Sequence, residues 1–340
     1  MDRLAKIGPR GKIGPRAGTH AIAEAPPFRK AAVLGATGSI GRELVTELLA
    51  RGVVTRVVSR SIASLRRNYA EGAVEFFPAD LTDHASMLAA AEGCDMLFLC
   101  AGASTEQFDH HVIMGRNLAQ ALTITRARAM LVSSYWSYGV IREVPITEDF
   151  PRRTGTRFAK IRQIQEDLVT NAGGCVAVLP EVFGPGASNS LINDGIATLA
   201  KGHTVHWPAD PTVLRDFLFV PDIRPVLVNL AMRKEAYGRR WNLAGSGAIK
   251  PRQLLEMAAD RLGESPRVRA TPLWFTKVAA KLSTKARENV ALYPIYSRPA
   301  VLDAGALRHL IGDYRVTPYS LAIDRTLRWM TGGADIEEAA

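Results

Sequence analysis

The chain has 340 residues, of which 47% are hydrophobic and 22% charged, an ordinary balance for one large or two average soluble domains with a full core. No apolar run reaches the roughly 18 residues that a membrane-spanning helix needs, and the N-terminus lacks the apolar core of a secretory signal. The net charge of +10 invites nucleic acid as a partner, but half of it sits in the first 30 residues, where Arg3, Lys6, Arg10, Lys12, Arg16, Arg29 and Lys30 face only Asp2 and Glu24.

That opening stretch carries "KIGPR" at 6–10 and again at 12–16. It reads as a flexible basic tail over residues 1–28, a solvated extension or a misplaced start rather than a nucleic-acid arm. The fold opens near Phe28. "KAAVLGATGSIGRELVTELLARG" predicts a short apolar strand, a glycine turn, and an amphipathic helix with Ile40, Leu44 and Leu48 near one face. "VVTRVVSRS" predicts a second strand and "AVEFFPADLTD" a third. "ASMLAAAEGCDMLFLCAG" predicts a helix and a fourth strand, "QFDHHVIMGRNLAQALTIT" a helix, and "RAMLVSSYWSYG" a fifth strand. "RFAKIRQIQEDLVTNAGG" follows as a helix and "CVAVLPEVFGPG" as a sixth strand. Such alternation predicts an α/β fold with a doubly wound parallel sheet of the Rossmann type.

After Gly186 the pattern changes. "RDFLFVPDIRPVLVNLAM" and "RRWNLAG" look like elements returning to the sheet, and from Lys250 onward the chain is helix-rich. The expected division is a dinucleotide-binding domain over 29–186 with returning elements at about 214–245. Residues 187–213 and 246–333 form a smaller substrate lobe, and 334–340 a polar tail. Three cysteines, Cys94, Cys100 and Cys175, show no paired or metal-type spacing, so buried thiols in a reducing cytoplasm are expected.

"GATGSIG" sets Gly35, Gly38 and Gly41 between strand and helix, with Thr37, Ser39 and Ile40 among them. Glycine is needed because a side chain would keep a pyrophosphate from the backbone amides, and the helix N-terminus adds its positive end. An acidic residue about 20 positions on would bind the ribose hydroxyls of NAD. The second strand instead ends in Ser59 and Arg60, a pair suited to a 2′-phosphate and so to NADP(H) over NAD(H).

With these motifs in view the chain resembles the extended short-chain dehydrogenase/reductases, in the NAD-dependent epimerase/dehydratase branch, from about residue 29 to 332. The likeness rests on "GATGSIGREL", "ADLTD", "LFLCAG", "VSSYWSYG", "PEVFGPG" and "RDFLFVPD", and extends to "WNLAGSGAIKPRQLLEMAADRLG". The resemblance implies that Asp80 and Leu81 flank the adenine, and that Cys100, Ala101 and Gly102 line the nicotinamide side with Ser133. Pro180, Glu181 and Val182 would lie beside the nicotinamide, and Ser134 would be the catalytic serine. Arg215 and Asp222 match a segment whose arginine often meets the substrate in sugar-nucleotide enzymes. Tyr135, Phe158, Glu181 and Arg215 are the substrate-side candidates.

The family pattern also has a tyrosine, a lysine four residues later, and commonly a glutamate four after that. In "RRTGTRFAKIRQIQEDLV", aligning on Glu166 puts Arg162 at the lysine and Phe158 at the tyrosine. Aligning on Lys160 puts Thr156 at the tyrosine and Ile164 at the glutamate. The first register is preferred, and neither supplies a tyrosine. Arg162 could hold the nicotinamide ribose but is a poor proton relay. Ser134, Tyr135, Tyr138, water or the substrate remain as proton sources, with Ser134 best placed to polarise a carbonyl.

His110 and His111 are neighbours on a helix and point about 100° apart; His111 falls near the family's position for a fold-stabilising asparagine. His203 and His206 lack a third ligand, so no metal is expected. Trp274 and Phe275 are the better candidates for a substrate wall. The leading expectation is an NADP(H)-dependent oxidoreductase, ketoreductase-like, acting on a small organic carbonyl or alcohol. A sugar-nucleotide epimerase or dehydratase is the second reading, and a non-catalytic NADP(H)-binding sensor or assembly subunit the third. A small-molecule substrate and a cytoplasmic location are expected, without membrane or nucleic acid as partners; a homodimer is left open.

Overall fold

The structure is a computed structural model that describes residues 12–13, 27–281 and 284–332. In chain order the first half runs β1 (Lys30–Leu34), α1 (Ser39–Ala50), β2 (Val54–Ser59), α2 (Ile62–Asn68), β3 (Glu75–Pro78), α3 (His84–Ala91), β4 (Met96–Leu99), α4 (His110–Thr125) and β5 (Arg128–Ser134). Then come α5 (Arg157–Asn171), β6 (Cys175–Leu179), β7 (Glu181–Phe183), α6 (Leu191–Leu199), β8 (Val205–Trp207), β9 (Phe217–Phe219), α7 (Val220–Ala231) and β10 (Arg240–Asn242). The chain closes with α8 (Pro251–Leu262), β11 (Val268–Ala270), α9 (Leu273–Ala279), α10 (Thr284–Tyr296), α11 (Gly305–Ile311) and α12 (Tyr319–Met330).

Seven strands form one parallel sheet in the order β3-β2-β1-β4-β5-β6-β10. Side chains alternate across it with the period of two that a strand imposes. Ala32, Leu34, Leu97 and Leu99 enter one core with α3, α4 and α5, while Ala31, Val33, Met96 and Phe98 enter the other with α1 and α7. Burial on both faces is why these strands read as continuous apolar runs. The chain winds outward from β1 to β3 and then returns to β4 on β1's other side. This reversal opens a crevice at the carboxyl ends of β1 and β4, the place where open α/β sheets bind ligands. A third core, built on Phe183, Trp207, Phe217, Phe219, Leu254 and Ile323, joins α6, α8 and α12.

Several local outcomes differ from the sequence expectation. "RAMLVSSYWSYG" is strand only to Ser134, whose hydroxyl accepts the Trp136 N–H at 3.4 Å and starts a 3-10 turn over Tyr135–Tyr138. "CVAVLPEVFGPG" breaks at Pro180, which has no N–H to give a ladder. Beyond it β7 leaves the main sheet and pairs with β9, so "RDFLF" pairs outside the large sheet while "RRWNLAG" enters it as β10. α2, with its basic last turn, carries too little periodicity to be foreseen. Within the stretch expected to be a free tail, Ile13 bridges Tyr69, donating to Asn68 O at 2.9 Å. The rest of residues 1–26, and the 334–340 tail, lie outside the described residues. Among the described residues no helix is long and apolar enough to cross a membrane.

Candidate functional site

The turn after β1 is built by backbone contacts that exclude side chains. Gly35 has φ +96°, and a Cβ there would stand 2.5 Å from the Ala101 amide nitrogen. A Cβ on Gly41 would stand 2.4 Å from Gly35 O. The loop after β1 and the Cys100–Gly102 loop after β4 therefore touch. Gly38 caps α1, its N–H donating to Gly35 O at 3.2 Å, and no acidic residue sits in the helix's first turn. The first amides of α1, around Ser39 and Ile40, are thus presented as a positive end suited to an anion. Thr37 lies half-buried in the same turn. One turn further, half-buried Arg42 donates to Gly186 O at 3.5 Å, closing the rim from the opposite side.

At the outer end β2 stops at Ser59, and Arg60 beyond it is exposed. Arg60 is close enough to Asp80 to help hold its carboxyl below the usual range. The larger cause is Thr82, whose N–H and hydroxyl donate to Asp80 at 2.9 and 2.8 Å. Leu81 is buried and its carbonyl accepts Asn117 Nδ2 at 3.0 Å, which pins the end of β3 to α4.

Behind the crevice, three unpaired donors gather between α4 and α5. The Ala103 N–H donates to His111 Nε2 at 3.3 Å. An accepting Nε2 leaves the proton of a neutral imidazole on Nδ1. Burial, with Arg162 and His110 adding to it, pulls His111 down to about 2, so the ring is neutral. Arg162 donates through Nη1 to Gln165 Oε1 at 3.0 Å, and its guanidinium lies 5.5 Å over the Phe108 ring. Burial lowers Arg162 to about 10, against the pull of Glu166, and it stays charged. His111 Nδ1, Arg162 Nε and Gln165 Nε2 are buried without a hydrogen-bond partner, an uncommon state for native polar groups.

Along α5, Phe158 and Glu166 are buried and Arg162 half-buried, while Lys160 and Ile164 are exposed on the outer side. Thr156 is the helix cap, its hydroxyl accepting the Ala159 N–H at 3.1 Å. Phe158 packs edge-on against Phe108 with ring centres 4.9 Å apart and 5.6 Å from Trp136. The groove on the outer side of α4 and α5, about 400 Å³ between Ile113, Arg116, Lys160 and Ile164, takes in none of the predicted site residues.

Ser133 and Ser134 end β5, and Tyr135 opens the 3-10 turn after it. Ser133 is buried and donates to Glu166 Oε1 at 2.5 Å; Ser134 is half-buried at the carboxyl end of this interior strand. Tyr138 is fully buried, its hydroxyl on Asn242 Oδ1 at 2.7 Å. Tyr135 turns into a buried polar cluster with Glu181, Arg215 and Tyr296. Arg215, only 1% exposed, donates through Nε to Glu181 at 3.0 Å, through Nη2 to the Tyr135 hydroxyl, and through Nη1 to the carbonyls of Ile295 and Arg298. Burial raises Glu181 while Arg215 opposes that shift, and burial pushes Tyr135 well up. With four such bonds, Arg215 ties the end of α10 to β7 and to the turn after β5, and is almost wholly out of solvent. Asp222 accepts the Thr317 N–H and hydroxyl, both at 2.7 Å. Pro180 and Val182 flank Glu181 at the end of β6. Trp274 and Phe275 stand 68% and 54% exposed on α9.

Sequence reasoning missed Gln165, Arg152, Arg240 and Arg42. Gln165 carried a usable signal, a polar residue on the inward side of α5 next to Glu166. Arg152 and Arg240 carried none, because they meet Glu166 only in the folded chain.

The profile of the NAD dependent epimerase/dehydratase family matches residues 31–244, from β1 through β10. No relative was found among curated proteins. Among solved structures, the epimerase Mth375 of Methanothermobacter thermautotrophicus superposes with a TM-score of 0.75 at 17% identity, covering 89% of this chain and 92% of its own. DesIV, the dTDP-glucose 4,6-dehydratase of Streptomyces venezuelae, gives 0.74 at 19% identity, covering 88% and 96%. WbmH of Bordetella bronchiseptica, solved with NAD+, gives 0.71 at 16%, covering 88% and 98%. At these identities the likeness is one of fold.

Proposed function

This chain belongs to the NAD dependent epimerase/dehydratase family and is an NAD(P)-dependent enzyme of that type; from this premise we propose that it works on a hydroxyl-bearing carbon of a sugar nucleotide, by reversible oxidation of that carbon. The observation that carries the redox part is the trio of unpaired donors, His111 Nδ1, Arg162 Nε and Gln165 Nε2. They lie between α4 and α5 beside the loop after β4, and of the three residues the half-buried Arg162 is the one a ribose oxygen would reach. The sugar-nucleotide part is supported by the family and by DesIV, whose substrate class its name states.

The residues fit the cofactor from end to end. The amides around Gly35, Thr37, Gly38, Ser39, Ile40 and Gly41 would hold the pyrophosphate, with Arg42 at the rim. Asp80 and Leu81 would flank the adenine, and Ser59 and Arg60 would take a 2′-phosphate, so NADP(H) is the preferred form. Cys100, Ala101, Gly102, Ser133, Pro180 and Val182 would border the nicotinamide, and Arg162 its ribose. When bound, the nicotinamide supplies or takes a hydride at the reacting carbon. Ser134 donates a hydrogen bond to the oxygen on that carbon and holds it in line. Phe158 has no atom that can accept a proton and the Arg162 guanidinium already carries its own, so the hydroxyl proton would pass to water or to a neighbouring substrate hydroxyl.

A second reading, reduction of a small carbonyl, is favoured by one feature: Arg215 is committed to Glu181, Tyr135 and two carbonyls and offers no guanidinium to a diphosphate. One assay separates the two. The enzyme with NAD+ or NADP+ is given UDP- and dTDP-hexoses, and products are followed by chromatography and mass. Epimerised or dehydrated sugar supports the proposal; NADPH consumption with simple ketones alone replaces it with the second reading. Ser134→Ala should cut turnover by about 10²–10³ and leave cofactor affinity unchanged; full activity would remove Ser134 from the mechanism.

A further inference from the structure

A surface helix turns its apolar stripe inward; α9 does the reverse. Among its described side chains Thr276 is buried, 6% exposed, its hydroxyl donating to Pro272 O at 3.2 Å, while Trp274, Phe275 and Val278 are 68%, 54% and 58% exposed. At about 100° per residue these three share one side of the helix, opposite Thr276. Trp274 and Phe275 meet edge-on at 5.9 Å and form a single aromatic ledge. Lys277 in the same helix and Lys281 just after it are exposed beside this ledge.

The charge around α9 is equally one-sided. From Arg267 to Arg298 the chain carries Arg267, Arg269, Lys277, Lys281, Lys285, Arg287 and Arg298 against Glu288 alone, a net +6. The first 30 residues hold +5, so the remainder of the chain sums to −1 and its basic character is confined to these two stretches.

We infer that α9 docks the protein on an anionic lipid bilayer. Trp274, Phe275 and Val278 seat at the boundary between headgroups and acyl chains, and Lys277 and Lys281 meet anionic headgroups. A second copy of the chain suits the patch poorly. Three apolar side chains on a seven-residue helix fall far short of the roughly 800 Å² per partner of a stable interface, and the basic flanks repel each other. Tryptophan beside lysine is instead the composition of a membrane-surface helix. The docking face is tied to the proposed site, because α9 packs against α10, and Arg215 donates to Ile295 O at 3.4 Å near the end of α10. The bilayer would then lie on the substrate side of the crevice.

The test uses the full-length protein with phosphatidylcholine vesicles, with and without phosphatidylserine, some carrying brominated acyl chains. Co-sedimentation only with phosphatidylserine is expected, together with quenching of tryptophan emission by the brominated chains. Trp274→Ala/Phe275→Ala should weaken binding by about tenfold or more, and Lys277→Glu/Lys281→Glu should do the same. Trp274→Phe should keep binding and lose the quenching. Unchanged thermal melting of these exposed-site variants checks folding. The inference fails if phosphatidylserine has no effect, if the double alanine variant binds as well as the parent (the tail alone would then suffice), or if quenching survives Trp274→Phe. It also fails if the double alanine variant abolishes a dimer while the parent ignores vesicles, which would make a second copy the occupant.

Discussion

The Ser133 hydroxyl donates to the Glu166 carboxylate at 2.5 Å, and the same buried carboxylate takes Arg152 at 2.8 Å and Arg240 at 3.2 Å. One side chain thus ties β5, α5, β10 and the segment before α5 together directly behind Ser134. Burial raises Glu166, and the two guanidiniums with Ser133 oppose that rise. Removing one partner from a buried charge cluster leaves the others uncompensated. Glu166→Gln is expected to lose about 3 kcal/mol in chemical denaturation, with a larger fall in turnover than in cofactor affinity. A variant as stable as the parent would show that the arginines are already satisfied by Asp167, which both also contact.

On our proposal, Arg60 sets the choice of cofactor. Arg60→Ala should weaken NADPH binding by about 10–100-fold, the scale of one or two charge-assisted hydrogen bonds, and leave NADH unchanged. Fluorescence titration with both nucleotides reads this directly. Equal losses for the two would mean that Arg60 supports the loop rather than a 2′-phosphate.

Arg162 has one guanidinium nitrogen unpaired and one bonded to Gln165. Arg162→Met keeps bulk and removes the donors, and should raise the cofactor Kd by about 10-fold or more. Stability should rise or stay level, since a desolvated cation is replaced by an apolar chain. Calorimetric titration and melting, measured together, separate the two effects. A stability loss without a change in Kd would place Arg162 in the packing alone.

Asp216 is 2% exposed, accepts the Gly245 N–H at 3.0 Å, and is raised to about 7 by burial. In the unfolded chain its pKa is about 4. Between roughly pH 4 and pH 7 the native state therefore binds more protons than the unfolded one, and stability falls as pH rises through that window. Asp216→Asn keeps the acceptor and removes the titration. It should be more stable than the parent by about 1–4 kcal/mol at pH 8, with the gain shrinking toward pH 4. A gain that does not vary with pH would assign the effect to something other than the carboxyl's titration.

The layered fold was legible in the sequence because burial on both faces leaves β1 and β4 as unbroken apolar runs, and because Gly35 and Gly41 mark a turn that tolerates no side chain. Ser134 was singled out through the family resemblance alone, inside a strand expected to run on past it; the strand in fact ends there. The relations that decide the site's chemistry were not legible. Periodicity shows which side of α5 is inward, but not that Gln165 joins Arg162 or that Arg240, 74 residues away, reaches Glu166. Pro180 was visible as a residue, yet its effect, moving β7 into a second sheet, depends on β9 being there to pair with. Trp274 and Phe275 were picked as a substrate wall for their place in the helix-rich C-terminal part; their 68% and 54% exposure on α9 could not be read from the sequence.

Arg215 carries a practical consequence for anyone mapping this enzyme by loss of function. Its guanidinium spans Glu181, Tyr135 and the end of α10, so an alanine there would loosen the lobe that frames the crevice and silence turnover. In a screen scored by activity alone it would rank beside the proposed catalytic Ser134, one variant failing through architecture and the other, on our proposal, through chemistry. Heat denaturation would sort them: the Arg215 variant should melt early, and the Ser134 variant should melt with the parent.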